Sequence, residues 1–174
     1  MKFRELPNFI NNKLEPELSK SIIKNQLNIN APDSVVKQFY IDHSDKDEFI
    51  SMYGHIDLTK ILWSLIEVHV DEIISISTEA TFPDYMNEVS EDASYFSQIG
   101  EKVISSRLEI REHWKMHGTW RVPPVFISRE LLNPPSIKGL HLVEGHTRVG
   151  CLKGLSKYKV IDVKKYHKVY FGSY

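Results

Sequence analysis

The sequence predicts an α+β fold, a small mixed sheet with packed helices, behind a short helical N-terminal extension. Three observations carry this reading. Residues 1–58 hold short helical patterns broken by turn residues. From Leu58 the periodicity changes to strand, helix, strand, strand, helix, strand. The 174 residues are 41% hydrophobic and 26% charged, the size and composition of a chain that buries one self-supporting core.

Within residues 1–58, Glu15 to Asn25 predicts a helix with Leu18, Ile22 and Ile23 on its apolar side. Ala31-Pro32-Asp33-Ser34 is a turn that starts a helix through Gln38 to Ile41. His43-Ser44-Asp45 is a second such start, ahead of Phe49, Ile50, Met52 and Tyr53, and Gly54 is the stop. Helices this short need a larger surface to lie on.

The main domain is expected over residues 59–174. Ile66, Val68 and Val70 alternate with Glu67, His69 and Asp71, the pattern of a half-buried strand. Glu79 to Glu91, with Pro83, reads as irregular. Glu91 to His117 reads as one long helix: Ile99, Val103, Ile110 and Trp114 form a stripe, Ile104 and Leu108 flank it, and Gly118 ends it. Pro123-Pro124-Val125-Phe126-Ile127 is a short apolar strand with prolines at its start, where ladder donors are dispensable. Asn133-Pro134-Pro135 breaks the chain in a loop. Leu140 to Glu144 is the next strand, and a helix with Val149, Leu152 and Leu155 follows it. Val160, Ile161 and Val163 predict one more strand, and Tyr166 to Phe171 a further strand or a tail.

Twenty-two Lys and Arg against 23 Asp and Glu give a net charge of −1, which argues against a nucleic-acid coat or a polybasic membrane anchor. Apolar runs fall short of the roughly 18–20 residues of a membrane span. The start, MKFRELPNFINNKLEP, lacks a signal-like apolar core, and Cys151 is the single cysteine. A cytoplasmic location without a membrane partner is the expectation.

The informative segment is Gly139-Leu140-His141-Leu142-Val143-Glu144-Gly145-His146-Thr147-Arg148, where a strand ends, a glycine turns the chain and a helix begins. The first turn of a helix carries unpaired N–H groups and a partial positive charge, which suits a phosphate. Gly145 allows close backbone approach, Thr147 offers a hydroxyl, and Arg148 a planar fork of donors. A plain structural turn with a solvated arginine is the competing reading of the same residues.

Strand, Glu144-Gly145-His146-Thr147-Arg148, then an amphipathic helix resembles the signature of the ParB/sulfiredoxin superfamily. Leu65 to Ile73 is similar to the family's opening strand and turn, Ile99 to Gly118 to its next helix, Pro124 to Ile127 to its "PIxV" strand, and Val160 to Val163 to the strand after the signature helix. The resemblance covers roughly residues 60–165. It implies a nucleotide with its phosphates on Gly145, His146, Thr147 and Arg148, a nucleoside di- or triphosphate such as ATP, ADP or CTP with Mg²⁺. It further implies NTPase or phosphotransferase activity, with Glu144, Glu67 and His146 as catalytic candidates. Asp71 and Glu72 are further carboxylates near the first strand. Sulfiredoxin has its catalytic cysteine where this chain has His146, and Cys151 lies more than a helical turn further on, so sulfinic-acid repair is not expected. ParB has Glu-Arg-Arg after the glycine where this chain has His-Thr-Arg, and its DNA-binding region is not matched, so CTP-gated DNA clamping is not expected either. The free serine kinases, with glycine, histidine, histidine, arginine, are nearest in motif.

Other candidates are read as structural. His113 and His117 share a helix face at metal-ligand spacing, but two histidines near a helix C-terminus also suit its negative end, and no metal is assigned to them. Trp63, Trp114 and Trp120 fit core positions, and Lys153, Lys157, Lys159, Lys164, Lys165 and Lys168 a solvated basic face. That basic face motivates the alternative, a DNA-associated ParB-like nuclease. A non-catalytic module of a bacterial mobile-element or defence system, docking a protein partner through residues 1–58, is the other alternative.

Overall fold

The computed structural model describes residues 1–10, 14–76, 84–96, 108–135 and 139–174. The fold is mixed α+β. In chain order the elements are a 3-10 helix at Phe3–Asn8, α1 (Pro16–Ser21), α2 (Asp33–Val35), α3 (Asp47–Tyr53), β1 (Leu62–His69), α4 (Val70–Ser75), α5 (Tyr85–Asp92), α6 (Leu108–His117), β2 (Val125–Ser128), β3 (Leu140–Glu144), α7 (His146–Tyr158) and β4 (Tyr166–Ser173). Wider π-type turns at Ile22–Gln26 and Val36–Ile41 continue α1 and α2. The strands form one mixed sheet in the order β1-β4-β2-β3. β2 pairs antiparallel with β3, Phe126 opposite Leu142 and Ser128 opposite Leu140, and parallel with β4, Val125 opposite Tyr170.

The chain divides into two compact units, and both β1 and β4 run from one into the other. The first unit comprises Met1–Leu65, Val125–Glu144 and Tyr170–Tyr174. Its core joins Phe3, Leu6, Ile23, Val35, Phe39 and Tyr40 to Val125, Ile127 and Val143. Residues 1–58, read from sequence as a helical extension, thus share their core with β2 and β3. Aromatic rings organise it: Phe3 stacks on Phe39 at 4.9 Å, and Tyr53 meets Phe39 edge-on at 5.4 Å. All four residues of β2 are buried, as a central strand covered on both faces requires. Burial also pushes the Tyr40 phenol well above its ordinary pKa, and its oxygen accepts from the Trp63 indole N–H at 3.1 Å.

The second unit comprises Ile66–Pro124 and Gly145–Val169. Here α7 packs on α5, and glycines set how closely. An added Cβ at Gly154 would lie 2.1 Å from the Ser90 carbonyl oxygen and 2.5 Å from the Ala93 Cβ. At the end of α6, Trp114 is buried and meets Trp120 edge-on at 6.1 Å. The Trp120 indole donates to the Lys168 carbonyl at 2.8 Å, which ties the segment after α6 to β4. Gly118 closes α6 at φ +60, a left-handed position suited to glycine.

Several sequence expectations change. Glu79 to Glu91 is not irregular throughout: α5 occupies Tyr85–Asp92, with Met86, Val89 and Ser90 buried at helical spacing, and residues 79–83 lie outside the described residues. The helix expected from Glu91 to His117 is not continuous over its described part. A 3-10 turn at Ala93–Tyr95 follows α5, and α6 spans Leu108–His117. Residues 97–107, with Ile99, Val103 and Ile104 of the expected stripe, lie outside the described residues. β1 begins at Leu62 rather than Ile66, and Val70 opens α4, whose start is capped by the His69 ring accepting from the Asp71 N–H. Val160, Ile161 and Val163 form no strand. After the left-handed Lys159 closes α7, this segment spends a backbone bond on the end of α6, Lys164 N–H to Gly118 carbonyl at 2.9 Å. The strand is β4, where His167 and Val169 are buried and Lys168 is exposed between them.

Two predictions follow from the second unit's packing. Gly154→Ala removes the room between α7 and α5. The intrinsic helix gain of about 1 kcal/mol is outweighed by overpacking against backbone, for a net loss of about 1–3 kcal/mol by urea unfolding. His167 is the second case. Its ring is buried, its Nδ1 hydrogen-bonds the Thr119 hydroxyl at 2.8 Å, and burial pulls its pKa from 6.5 to about 4. Between those values the unfolded chain binds a proton that the folded chain refuses. Stability is therefore full above about pH 6.5 and falls by about 1.4 kcal/mol per pH unit on acidification toward pH 4. Urea midpoints across this window, with a flatter slope in His167→Gln, check it.

Candidate functional site

The corner expected to hold a phosphate begins at Gly145, which adopts φ +109 and ψ +24 as the residue before α7. That left-handed backbone is open to glycine and strained for other residues. It turns the chain out of β3 and straight into a helix of 13 residues. No side chain caps the helix start, since the capping position is a glycine. Its first-turn amides have no intrahelical acceptor, as in any α-helix.

Arg148 folds back over the corner. Measured from where a Gly145 Cβ would sit, its Nη2 and Nε lie at 3.0 and 3.1 Å. Its Nη1 donates to the Val122 carbonyl at 2.9 Å. Pro124 closes the opposite side, with its Cβ 2.5 Å from the same point. The Thr147 and Tyr85 hydroxyls share a hydrogen bond of 2.7 Å. His146, half-buried, opens α7. The second unit thus brings Gly145, His146, Thr147 and Arg148 onto one helical turn and adds Tyr85, which the sequence reading left in an irregular stretch. Met86, Val89 and Ala93, three and four apart and all buried, are the signal that would have placed Tyr85 on a helix.

The two carboxylate candidates have different surroundings. Glu67 is an exposed residue of β1 whose side chain makes no hydrogen bond or ion pair among the described residues. Glu144, the last residue of β3, belongs to the first unit and accepts from His43 Nε2 at 3.1 Å. The His43 ring lies parallel on Phe49, with centroids 3.8 Å apart. Burial raises the pKa of the neighbouring Asp42 carboxyl, opposed by the His43 and Lys37 charges and aided by Glu144. His43 carried no signal in the sequence because its partner lies 101 residues away. Tyr53 and His141 form a second such pair, buried, with 2.8 Å between the hydroxyl and Nε2.

Among the described residues no group of three or more His, Cys, Asp and Glu side chains is placed to hold a metal ion. Among them, too, no helix is long and apolar enough to cross a membrane. No family model, curated protein or solved structure matches this chain.

Gly145→Ala tests whether the corner is as tightly built as these distances imply. The substitution combines a strained φ with a Cβ driven into Pro124 and the Arg148 guanidinium. A loss of more than about 1 kcal/mol by chemical unfolding is expected, where a tolerant surface turn would change little.

Proposed function

We propose that this chain is a nucleotide-binding protein of the ParB/sulfiredoxin kind that holds the phosphates of a nucleoside di- or triphosphate at the start of α7. The observation that carries the reading is Arg148: its guanidinium is gathered over Gly145 at the first turn of a 13-residue helix whose start has no side-chain cap. A cationic fork, first-turn amides and the positive end of the helix macrodipole all attract the same ligand, a compact polyanion. The Thr147 hydroxyl adds a neutral donor beside them. Support for the family comes from the order β2, β3, Gly145, α7, with the signature residues at the strand-to-helix turn. No strand forms at residues 160–163 directly after α7, a departure from the family pattern; the next strand is β4.

Mg²⁺ enters this reading with the nucleotide, which supplies phosphate oxygens to it, as is usual for this ion. Glu67, in the same unit as α7, is the carboxylate offered for it, while Glu144 belongs to the other unit, where its partner is His43. The ion would neutralise charge on the phosphates. In the chain itself, Arg148 and the α7 amides orient the phosphates, and His146 stands at the same turn as a proton donor or acceptor. The reaction class is phosphoryl transfer to water or to an acceptor.

ATP, ADP and CTP with Mg²⁺ at millimolar concentration, read by thermal shift, test the proposal. At a hundredfold excess over Kd, binding adds about 2.7 kcal/mol, a rise of roughly 5–10 °C for a chain of this size. Arg148→Ala should abolish the ligand-induced rise, and Arg148→Lys should keep only part of it. Each rise is measured against the same variant without ligand, which removes any effect of the lost Val122 bond. A wild-type protein that none of these nucleotides stabilises refutes the reading.

A further inference from the structure

The end of α6 carries a second arrangement, independent of the α7 corner. His113 and His117 are four residues apart, and their ring centroids lie 4.3 Å from one another at a tilt of 42°. Two imidazole nitrogens on one tetrahedral ion, each about 2.0–2.1 Å from it, lie about 3.3 Å apart, a separation that rings at this centroid distance can span. We propose that His113 and His117 chelate a divalent transition-metal ion of the zinc, nickel or copper class, with water completing its shell.

Three features of the site support this. The helix beneath it is fixed: Trp114 is buried between the two histidines in sequence, and Gly118 N–H closes the last turn onto the Trp114 carbonyl at 2.7 Å. His113 is half-buried, which limits the freedom of its ring. The sites lie at the C-terminal, negative end of α6, which favours a cation.

Opposing charges set the expected strength. Arg121 and Lys164 act on His113 in the direction that disfavours positive charge. Glu112 is engaged by Lys115 at 3.2 Å. Two imidazoles without a carboxylate select borderline ions over hard ones, so Mg²⁺ and Ca²⁺ are not expected to bind here. His117 is exposed, which leaves the outer positions of the ion to exchangeable water.

Calorimetric titration of the full chain with Cu²⁺, Ni²⁺, Zn²⁺ and Mg²⁺ tests the proposal. Wild type should bind one equivalent, Cu²⁺ most tightly, with no heat from Mg²⁺. His117→Gln and His113→Gln should each weaken binding at least tenfold. His117→Gln changes an exposed side chain, so its metal-free unfolding curve should match wild type and its result stands even if His113→Gln folds poorly. Absence of transition-metal binding by wild type, or wild-type affinity in either folded variant, overturns the proposal.

Discussion

The backbone at Gly145 is the constraint on which the corner at the start of α7 depends. A residue at φ +109 ends β3 and starts α7 with no intervening loop. Any side chain there would occupy the space now filled by Pro124 and the Arg148 guanidinium. Glycine therefore does two things at once. It permits the turn, and it lets an arginine three residues later fold back over the helix start that it belongs to. Without that fold-back, Arg148 would be one more solvated cation on a helical surface.

The packing around α7 is consistent with this. Gly150 and Gly154 face α5, where added Cβ atoms would meet Val89 at 2.8 Å and the Ser90 carbonyl at 2.1 Å. Two helices in such close contact hold each other's orientation, because interiors packed to crystal density resist small shifts. Tyr85, at the start of α5, is placed by this contact to reach Thr147 at the start of α7. The polar pair at the corner is thus a consequence of the glycine face one to two turns further along the same helix.

Local patterns in the sequence made much of the fold legible. Val125 to Ile127 and Leu140 to Glu144 are compact apolar runs bounded by prolines and glycines, and both became strands at those positions. The start of α7 after Gly145 and the end of α6 at Gly118 were equally legible, because glycine marks a backbone requirement. Val160 to Val163 misled because apolar content alone does not make a strand: the segment leads into Lys164, whose N–H bonds the Gly118 carbonyl, a partner no local window contains. Tyr85–Asp92 was obscured by the polar residues between Met86, Val89 and Ala93. Of the candidate site, the turn itself was legible, but the partners were not. His43 on Glu144 and Val122 on Arg148 are contacts set by tertiary structure across 101 and 26 residues.

The bond from Arg148 to Val122 bears on how such a corner would work. A side chain that is already held pays less entropy when a ligand arrives, since its rotamers are restricted beforehand. A guanidinium suits this double duty because its donors lie in a rigid plane. One edge can serve a backbone carbonyl while the group stays aimed at the helix start, and an ammonium on a flexible stem offers no such division. The contact with Val122 thus fixes the direction of the guanidinium. The same logic applies in the first unit, where Phe49 and Glu144 between them fix both the plane and the hydrogen-bonding edge of the His43 ring. In each unit a side chain is oriented by a partner distant in sequence, Arg148 by Val122 and His43 by Glu144.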